Sequence, residues 1–265
     1  MSDAIVDAVA TELLARETER RDGGRLTEQH AGLDLDTAYV VQRELIARKL
    51  AAGERVVGVK LGLTSRAKQQ RMGIDSPLTA VITDAMAVDV GTPLETSELI
   101  HPRVEPEIVF VMGQRLAGPG VTAASAMAAV HSVHAGLEVI DSRYADFSFA
   151  LPDVVADNAS SARFVVSPDG FDPAGLDLAL EAAVLRVDGE VVDTATGAAV
   201  QGHPAQALAL AANALAERGE AIEAGMLVLT GGLTDAVFVT PGGEVSVEFT
   251  TLGSVTLPIA PEATP

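Results

Sequence analysis

The run Arg103-Val104-Glu105-Pro106-Glu107-Ile108 sets two carboxylates two residues apart in a strand pattern, so both side chains leave the same face of the strand. Like charges that close repel. On a solvated face the repulsion is small, and Pro106 suits an ordinary edge strand. The apolar continuation Ile108-Val109-Phe110-Val111 instead carries the strand into a core and its carboxylates toward a cleft. A third carboxylate, Glu138, sits inside Leu137-Glu138-Val139-Ile140, where an unpaired charge is costly to bury. A divalent cation removes that cost; an ion pair with Arg143 or Arg103 is the alternative. Three carboxylates with no thiol and no histidine cluster suit a hard ion with oxygen ligands, magnesium or manganese rather than zinc or copper.

Lysine occurs only at Lys49, Lys60 and Lys68, and Lys60 falls inside Val56-Val57-Gly58-Val59-Lys60-Leu61-Gly62-Leu63. An ammonium there is either desolvated, which lowers its pKa and fits it for acid or base work, or kept charged by an anionic ligand. Snorkelling to the surface is the bland alternative. Residues 154–161 end in a polar stretch of small residues that either presents Asn158 and Ser160 to a ligand or forms a turn with Asx-type hydrogen bonds. Thr230-Gly231-Gly232 follows a predicted strand and allows close backbone approach to an anion, or is a plain turn. Its spacing matches neither standard phosphate-binding loop. No Gly-x-Ser-x-Gly elbow is present, which disfavours a serine hydrolase. His30, His101, His131, His134 and His203 are scattered; His131 and His134 could share a helix face, but a metal role is not expected of them.

These residues need elements to hold them. Ile5, Val6, Val9, Leu13 and Leu14 form a helical stripe, and Asp36 is placed to cap a second helix carrying Tyr39, Val40, Leu45 and Leu50. From Arg55 the texture changes to short Val-rich runs punctuated by Gly, Pro and Asp, which predicts strands near 56–61, 104–111, 136–140, 163–166, 178–187, 226–230 and 245–250. Asp188-Gly189 predicts a hairpin turn. Helices are predicted over 123–130 and 203–218, the latter with Pro204 in its first turn and Gly219 at its end. The division expected is a helical portion over 1–54 and a β-rich catalytic domain over 55–265, with a loose tail at 260–265.

Composition narrows the partners. With 265 residues, 48% of them hydrophobic, the chain can bury a substantial core. A formal net charge of −19 repels nucleic acid and anionic lipid, so neither is an expected partner. It also repels a dianionic substrate, whose site must therefore supply local positive charge from a metal ion or from placed Lys and Arg. The absence of cysteine removes disulfides, thiolate nucleophiles and thiolate metal sites. Residues 1–21 mix acids with apolar residues, unlike a signal peptide, and no uncharged apolar run approaches the roughly 20 residues that cross a bilayer. The expected location is the cytoplasm.

Taken in order, Lys60-Leu61-Gly62-Leu63-Thr64-Ser65-Arg66, Met72-Gly73-Ile74-Asp75, Ile100-His101-Pro102-Arg103-Val104-Glu105-Pro106-Glu107, Glu138-Val139-Ile140-Asp141-Ser142-Arg143-Tyr144, Gly202-His203-Pro204, Thr230-Gly231-Gly232 and Leu252-Gly253-Ser254-Val255 resemble the hydratase and decarboxylase branch of the fumarylacetoacetate hydrolase superfamily, from about Asp36 onward. Tyr144, Phe147, Phe149 and Leu151-Pro152-Asp153 look more like its decarboxylating members. The stretch Leu78-Thr79-Ala80-Val81 departs from the pattern, lacking an aromatic-Gly pair.

The resemblance implies an α+β fold, a mixed β-sheet roll behind a small helical N-terminal portion. It implies Mg2+ (Mn2+ as substitute) on Glu105, Glu107 and Glu138, with Lys60 as the catalytic residue. Substrate binding is expected of Asp157, Asn158, Ser160, Thr230 and Gly231. The implied reaction is decarboxylation of the dicarboxylate 4-oxalocrotonate (2-oxo-3-hexenedioate) in catechol meta-cleavage. Hydration of 2-hydroxypenta-2,4-dienoate, or a non-catalytic partner role, are the alternatives. A homo-oligomer is implied, and a hetero-complex with the 2-hydroxypentadienoate hydratase is open.

Overall fold

The computed structural model describes residues 3–262, apart from the side chains of Ala67, Lys68 and Arg71. In chain order the elements are α1 (Asp3–Glu19), α2 (Leu35–Ala51), β1 (Val56–Gly62), α3 (Arg66–Met72), β2 (Leu78–Thr83), β3 (Arg103–Met112), α4 (Ala123–Ala128), β4 (Val130–Ile140), α5 (Leu151–Ala156), β5 (Ser161–Val166), β6 (Ala182–Val187), β7 (Glu190–Thr196), α6 (Pro204–Glu217), β8 (Leu227–Leu229), β9 (Val237–Phe238), β10 (Glu244–Phe249) and β11 (Ser254–Pro258).

The larger sheet runs β2-β1-β8-β3-β4-β5, with β9 also paired to β3. β1 and β8 are parallel and the other pairings antiparallel, so the sheet is mixed. A second, antiparallel sheet runs β11-β10-β6-β7. The strands alternate as their sequences require: in β10, Val245 and Val247 are buried while Glu244 and Glu248 face out. One apolar core joins Ile108, Phe110, Leu137 and Val139 of the large sheet to Leu185, Val247 and Leu257 of the small one and to Leu208 and Leu215 of α6. This is the α+β roll expected from the sequence.

The helical N-terminal portion has its own core. Val9, Leu13, Val41 and Leu45 pack with Val154 and Val155 of α5 and with Leu78 of β2. Polar ties cross the same boundary. The buried Gln42 amide donates to Thr79 O at 3.1 Å and Val155 O at 3.0 Å, and Arg16 donates to Arg143 O at 2.9 Å. The first helices thus brace the elements beside the site.

Several local expectations are corrected. Asp34, not Asp36, caps α2, accepting from Thr37 N at 2.9 Å; two acids two residues apart both suit a cap, and only the side-chain geometry separates them. The Ala-rich α4 stops at Ala128, and His131 and His134 fall on β4, where period two sends them to opposite faces. Residues 151–156 form α5, with Ala150 N bonded to Asp153 at 2.9 Å, a helix that no sequence signal had predicted. Leu78–Thr83, read only as a departure from a pattern, is a strand. Residues 178–181 lie outside β6. α6 is capped by His203 Nδ1, which accepts from Ala205 N at 3.0 Å, and ends before the positive-φ Gly219 as predicted. Of the expected loose tail, Ala260 is hydrogen-bonded to Leu94 and Gly242, while residues 263–265 lie outside the described residues.

Candidate metal centre and active site

β3 presents Arg103, Glu105 and Glu107 on one face, and the antiparallel register of β4 sets Glu138 directly opposite Glu105. The carboxylates of Glu105, Glu107 and Glu138 each offer an oxygen within 4.8 Å of the others. Like charges facing each other across a strand pair destabilise it, so the arrangement calls for a cation.

One cation comes from the protein. Lys60 on β1 reaches across the curled sheet, its Nζ 2.8 Å from Glu138 Oε1, with both side chains buried. Glu138 therefore pairs with neither Arg143 nor Arg103. Glu107 is wholly buried; its Oε2 accepts from Gly231 N at 2.7 Å. Burial first, then the charges of Glu138 and Glu105, hold its carboxyl well above the usual carboxylate range.

Two buried oxygens are left over, Glu107 Oε1 and Glu138 Oε2, neither with a hydrogen-bond partner. Orphaned carboxylate oxygens converging with a third carboxylate, in a site of oxygen donors only, fit a hard divalent cation. The glycines of the 230–232 turn make this approach possible. Gly231 has φ +110°, and a Cβ on Gly232 would stand 2.2 Å from Glu105 Oε2.

Lys60 and Glu105 open onto a cavity of about 490 Å³ whose walls include Gly62, Leu63, Leu78, Arg103, Phe147, Phe149 and Ser160. Leu78 takes the wall position where the aromatic-Gly pair was expected. The remaining residues singled out from the sequence have internal partners. Asp157 is buried and ion-paired to Arg143, whose guanidinium also donates to Asp141 O and Asp157 O. The Asn158 amide both donates to Val81 O at 2.8 Å and accepts from Val81 N at 3.0 Å, clamping the turn to β2. Thr230 Oγ1 donates to Ile108 O at 2.7 Å. Ser160 lines the cavity, its hydroxyl 3.3 Å from Asp157 Oδ2. Gly231 touches the site through its amide on Glu107.

Asn158, Ala159 and Ser160 all have φ between 48° and 58°. Three successive non-glycine residues in the left-handed region are strained by about 1–2 kcal/mol each. The Asn158 clamp, the Ser161 hydroxyl on Asn158 O at 2.7 Å and Asp141 N on Ser160 O at 2.9 Å hold them there. Backbone strain of this kind collects where a turn must aim residues at a site.

Arg103 entered the sequence reading only as a possible partner for Glu138. Its guanidinium stacks against two rings, 4.1 Å from the centroid of Phe147 and 4.3 Å from that of Phe238. Its position two residues before Glu105 was the available signal, since it places the cation on the face of the carboxylates.

Residues 55–260 match the model of the family described as fumarylacetoacetate (FAA) hydrolase, C-terminal. The chain belongs to the fumarylacetoacetate hydrolase family. A 4-oxalocrotonate decarboxylase of Pseudomonas sp. (strain CF600) is 44% identical over 248 residues, 94% of each chain. A 2-hydroxyhexa-2,4-dienoate hydratase of Comamonas testosteroni is 36% identical over 234 residues, 88% of this chain and 89% of its own. The solved structure of 4-oxalocrotonate decarboxylase from Pseudomonas putida G7, complexed with magnesium and adipate, superposes with a TM-score of 0.94 at 40% identity, covering 98% of both chains.

Proposed function

We propose that this chain is a divalent-metal-dependent lyase that decarboxylates 4-oxalocrotonate to 2-hydroxypenta-2,4-dienoate, with Glu105, Glu107 and Glu138 holding Mg2+. Mn2+ suits the same oxygen donors. The observation that carries this reading is the pair of buried, unpartnered oxygens on Glu107 and Glu138 beside Lys60. The 44% identity to a decarboxylase across nearly the whole chain supports the choice of reaction.

In 4-oxalocrotonate the departing carboxylate is vinylogously β to the 2-oxo group, so loss of CO2 drives an electron pair through C3=C4 toward the 2-oxo oxygen. The bound cation supplies Lewis acidity toward a 2-oxo acid. Lys60 supplies the second positive charge: one N–H holds Glu138 Oε1, and the ammonium, which lines the cavity, donates toward the oxygen where negative charge grows. Leu63, Leu78, Phe147 and Phe149 exclude water around it, which strengthens both interactions. Asp157, Asn158 and Thr230 position the walls, and Ser160 and Gly231 face the substrate and the metal ligand respectively.

The same reading takes the protein to be a cytoplasmic homo-oligomer, and a hetero-complex with a 2-hydroxypentadienoate hydratase is open. Leu180, Val191 and Val192 are exposed apolar side chains that such contacts would cover. Among the described residues no helix is long and apolar enough to cross a membrane.

Offering the purified protein each substrate in Mg2+ tests the reaction. CO2 release from 4-oxalocrotonate is the expected result. Formation of 4-hydroxy-2-oxopentanoate from the dienoate without CO2 release establishes the hydratase instead, and turnover of neither together with failure to bind Mg2+ in a metal titration favours a non-catalytic partner.

A further inference from the structure

We propose that Arg103 takes the carboxylate of the substrate remote from its 2-oxo acid head, and so selects dicarboxylates over monocarboxylates. This rests on the reading that the carboxylate cage and Lys60 hold a 2-oxo acid.

The two buried guanidinium groups of Arg16 and Arg143 have partners for their N–H groups: Arg16 has Glu12, Gly24 O and Arg143 O, and Arg143 has Asp157, Asp141 O and Asp157 O. Arg103 differs. Among the described residues its guanidinium makes no hydrogen bond or ion pair, and its Nε is buried without a partner. The rings of Phe147 and Phe238 both stack against it, and β9 pairs with β3 at the Arg103↔Phe238 position, which sets the second ring beside it. A planar guanidinium stacked on aromatic rings is a plate that keeps its N–H donors at its edge, where they form a fork that matches a carboxylate. Phe238 is 63% exposed, a large apolar ring left in solvent at the price of holding that plate.

The position fits the ligand. Arg103 lines the same cavity as Lys60 and Glu105. Two strand residues separate its Cα from that of Glu105 by about 7 Å, close to the roughly 6 Å spanned by five carbon–carbon bonds of an extended six-carbon diacid. A chain of net charge −19 needs such a placed cation to accept a second carboxylate at all.

The contact belongs to the ground state. As the remote carboxylate departs as uncharged CO2, its attraction to Arg103 fades, so truncating Arg103 raises KM for 4-oxalocrotonate while kcat holds or rises.

The test is calorimetric titration of the protein in Mg2+ with 2-oxoadipate and 2-oxohexanoate, which differ only in the terminal carboxylate. The wild type is expected to bind the diacid at least about 10-fold tighter, the size of one charge-assisted contact. Arg103→Met abolishes that preference while leaving 2-oxohexanoate affinity unchanged, which also reports that the variant is folded. Arg103→Lys, with charge but no planar fork, falls between. Equal binding of the two acids by wild type overturns the proposal whatever the variants do, as does a preference that survives Arg103→Met. If neither acid binds the wild type, the 2-oxo acid reading of the site fails, and the role of Arg103 with it.

Discussion

Lys60 Nζ stands 2.8 Å from Glu138 Oε1, and both side chains are almost fully buried. The pair leaves Glu138 Oε2 bare and directed into a group with two further carboxylates. In the proposed site, lysine and metal would act on one glutamate from two sides, and the ammonium would compete electrostatically with the ion it accompanies.

Lys60→Met is therefore expected to split the two roles. Turnover falls by about 10²-fold or more, as for loss of a donor to developing charge, with a smaller change in KM. Mg2+ affinity stays at least as tight, because a repelling charge has gone. Steady-state kinetics beside a metal titration check this; unchanged kcat with raised KM reduces Lys60 to a docking charge.

Gly232→Ala pushes a methyl group against Glu105 Oε2. The far end of a glutamate can move, so the fold survives, but the carboxylate leaves its place in the cage. A loss of about 10-fold or more in Mg2+ affinity with an unchanged melting temperature of the metal-free protein is expected. Equal affinities would separate Glu105 from the ion.

Asp157→Asn breaks a buried ion pair and strands the Arg143 charge. Stability is expected to drop by about 3 kcal/mol or more in urea denaturation, with KM of the remaining folded enzyme unchanged. A stable variant with raised KM would instead put Asp157 on the substrate.

The N-terminal portion carries an acid-sensitive joint. Hydrogen bonds from Arg21 and Arg16 hold the Glu12 carboxyl down at about 2, below the 4.5 of a free glutamate. A depressed acid contributes stability above its unfolded value and loses it as pH falls from 4.5 through about 2. Since Glu12 is part-exposed, the contribution is roughly 0.5–1 kcal/mol. Glu12→Gln should be less stable than wild type by that amount near pH 7, with the gap closing as pH falls through this window. A gap that persists at pH 2 would refute the charge origin.

The cage was legible because its signals are local. Two glutamates at strand spacing, a glutamate and a lysine each inside an apolar run, and a Gly-Gly turn announce themselves within six residues. The supports were less legible because they depend on partners fixed only by the fold. Nothing near Asn158 in sequence marks Val81 as its clamp, and nothing near Asp157 separates a ligand contact from a pair with Arg143. The left-handed turn at 158–160 uses no glycine, so the usual marker of positive φ is missing. His131 and His134 fit a helix face or a strand equally well, and the end of α4 decides between them. Arg103 was visible as a charge, but the two aromatic rings that make it a plate lie 44 and 135 residues away.

In the proposed site Glu105, Glu107 and Glu138 together hold one divalent cation. Equilibrium titration of the purified protein with Mn2+, followed by the paramagnetic signal of the free ion, tests it against Glu107→Gln. One ion per chain is expected for the wild type, and an affinity lower by about 10²-fold or more for a variant that remains folded, one charged ligand of three having been neutralised. The same stoichiometry and affinity in Glu107→Gln would contradict the account.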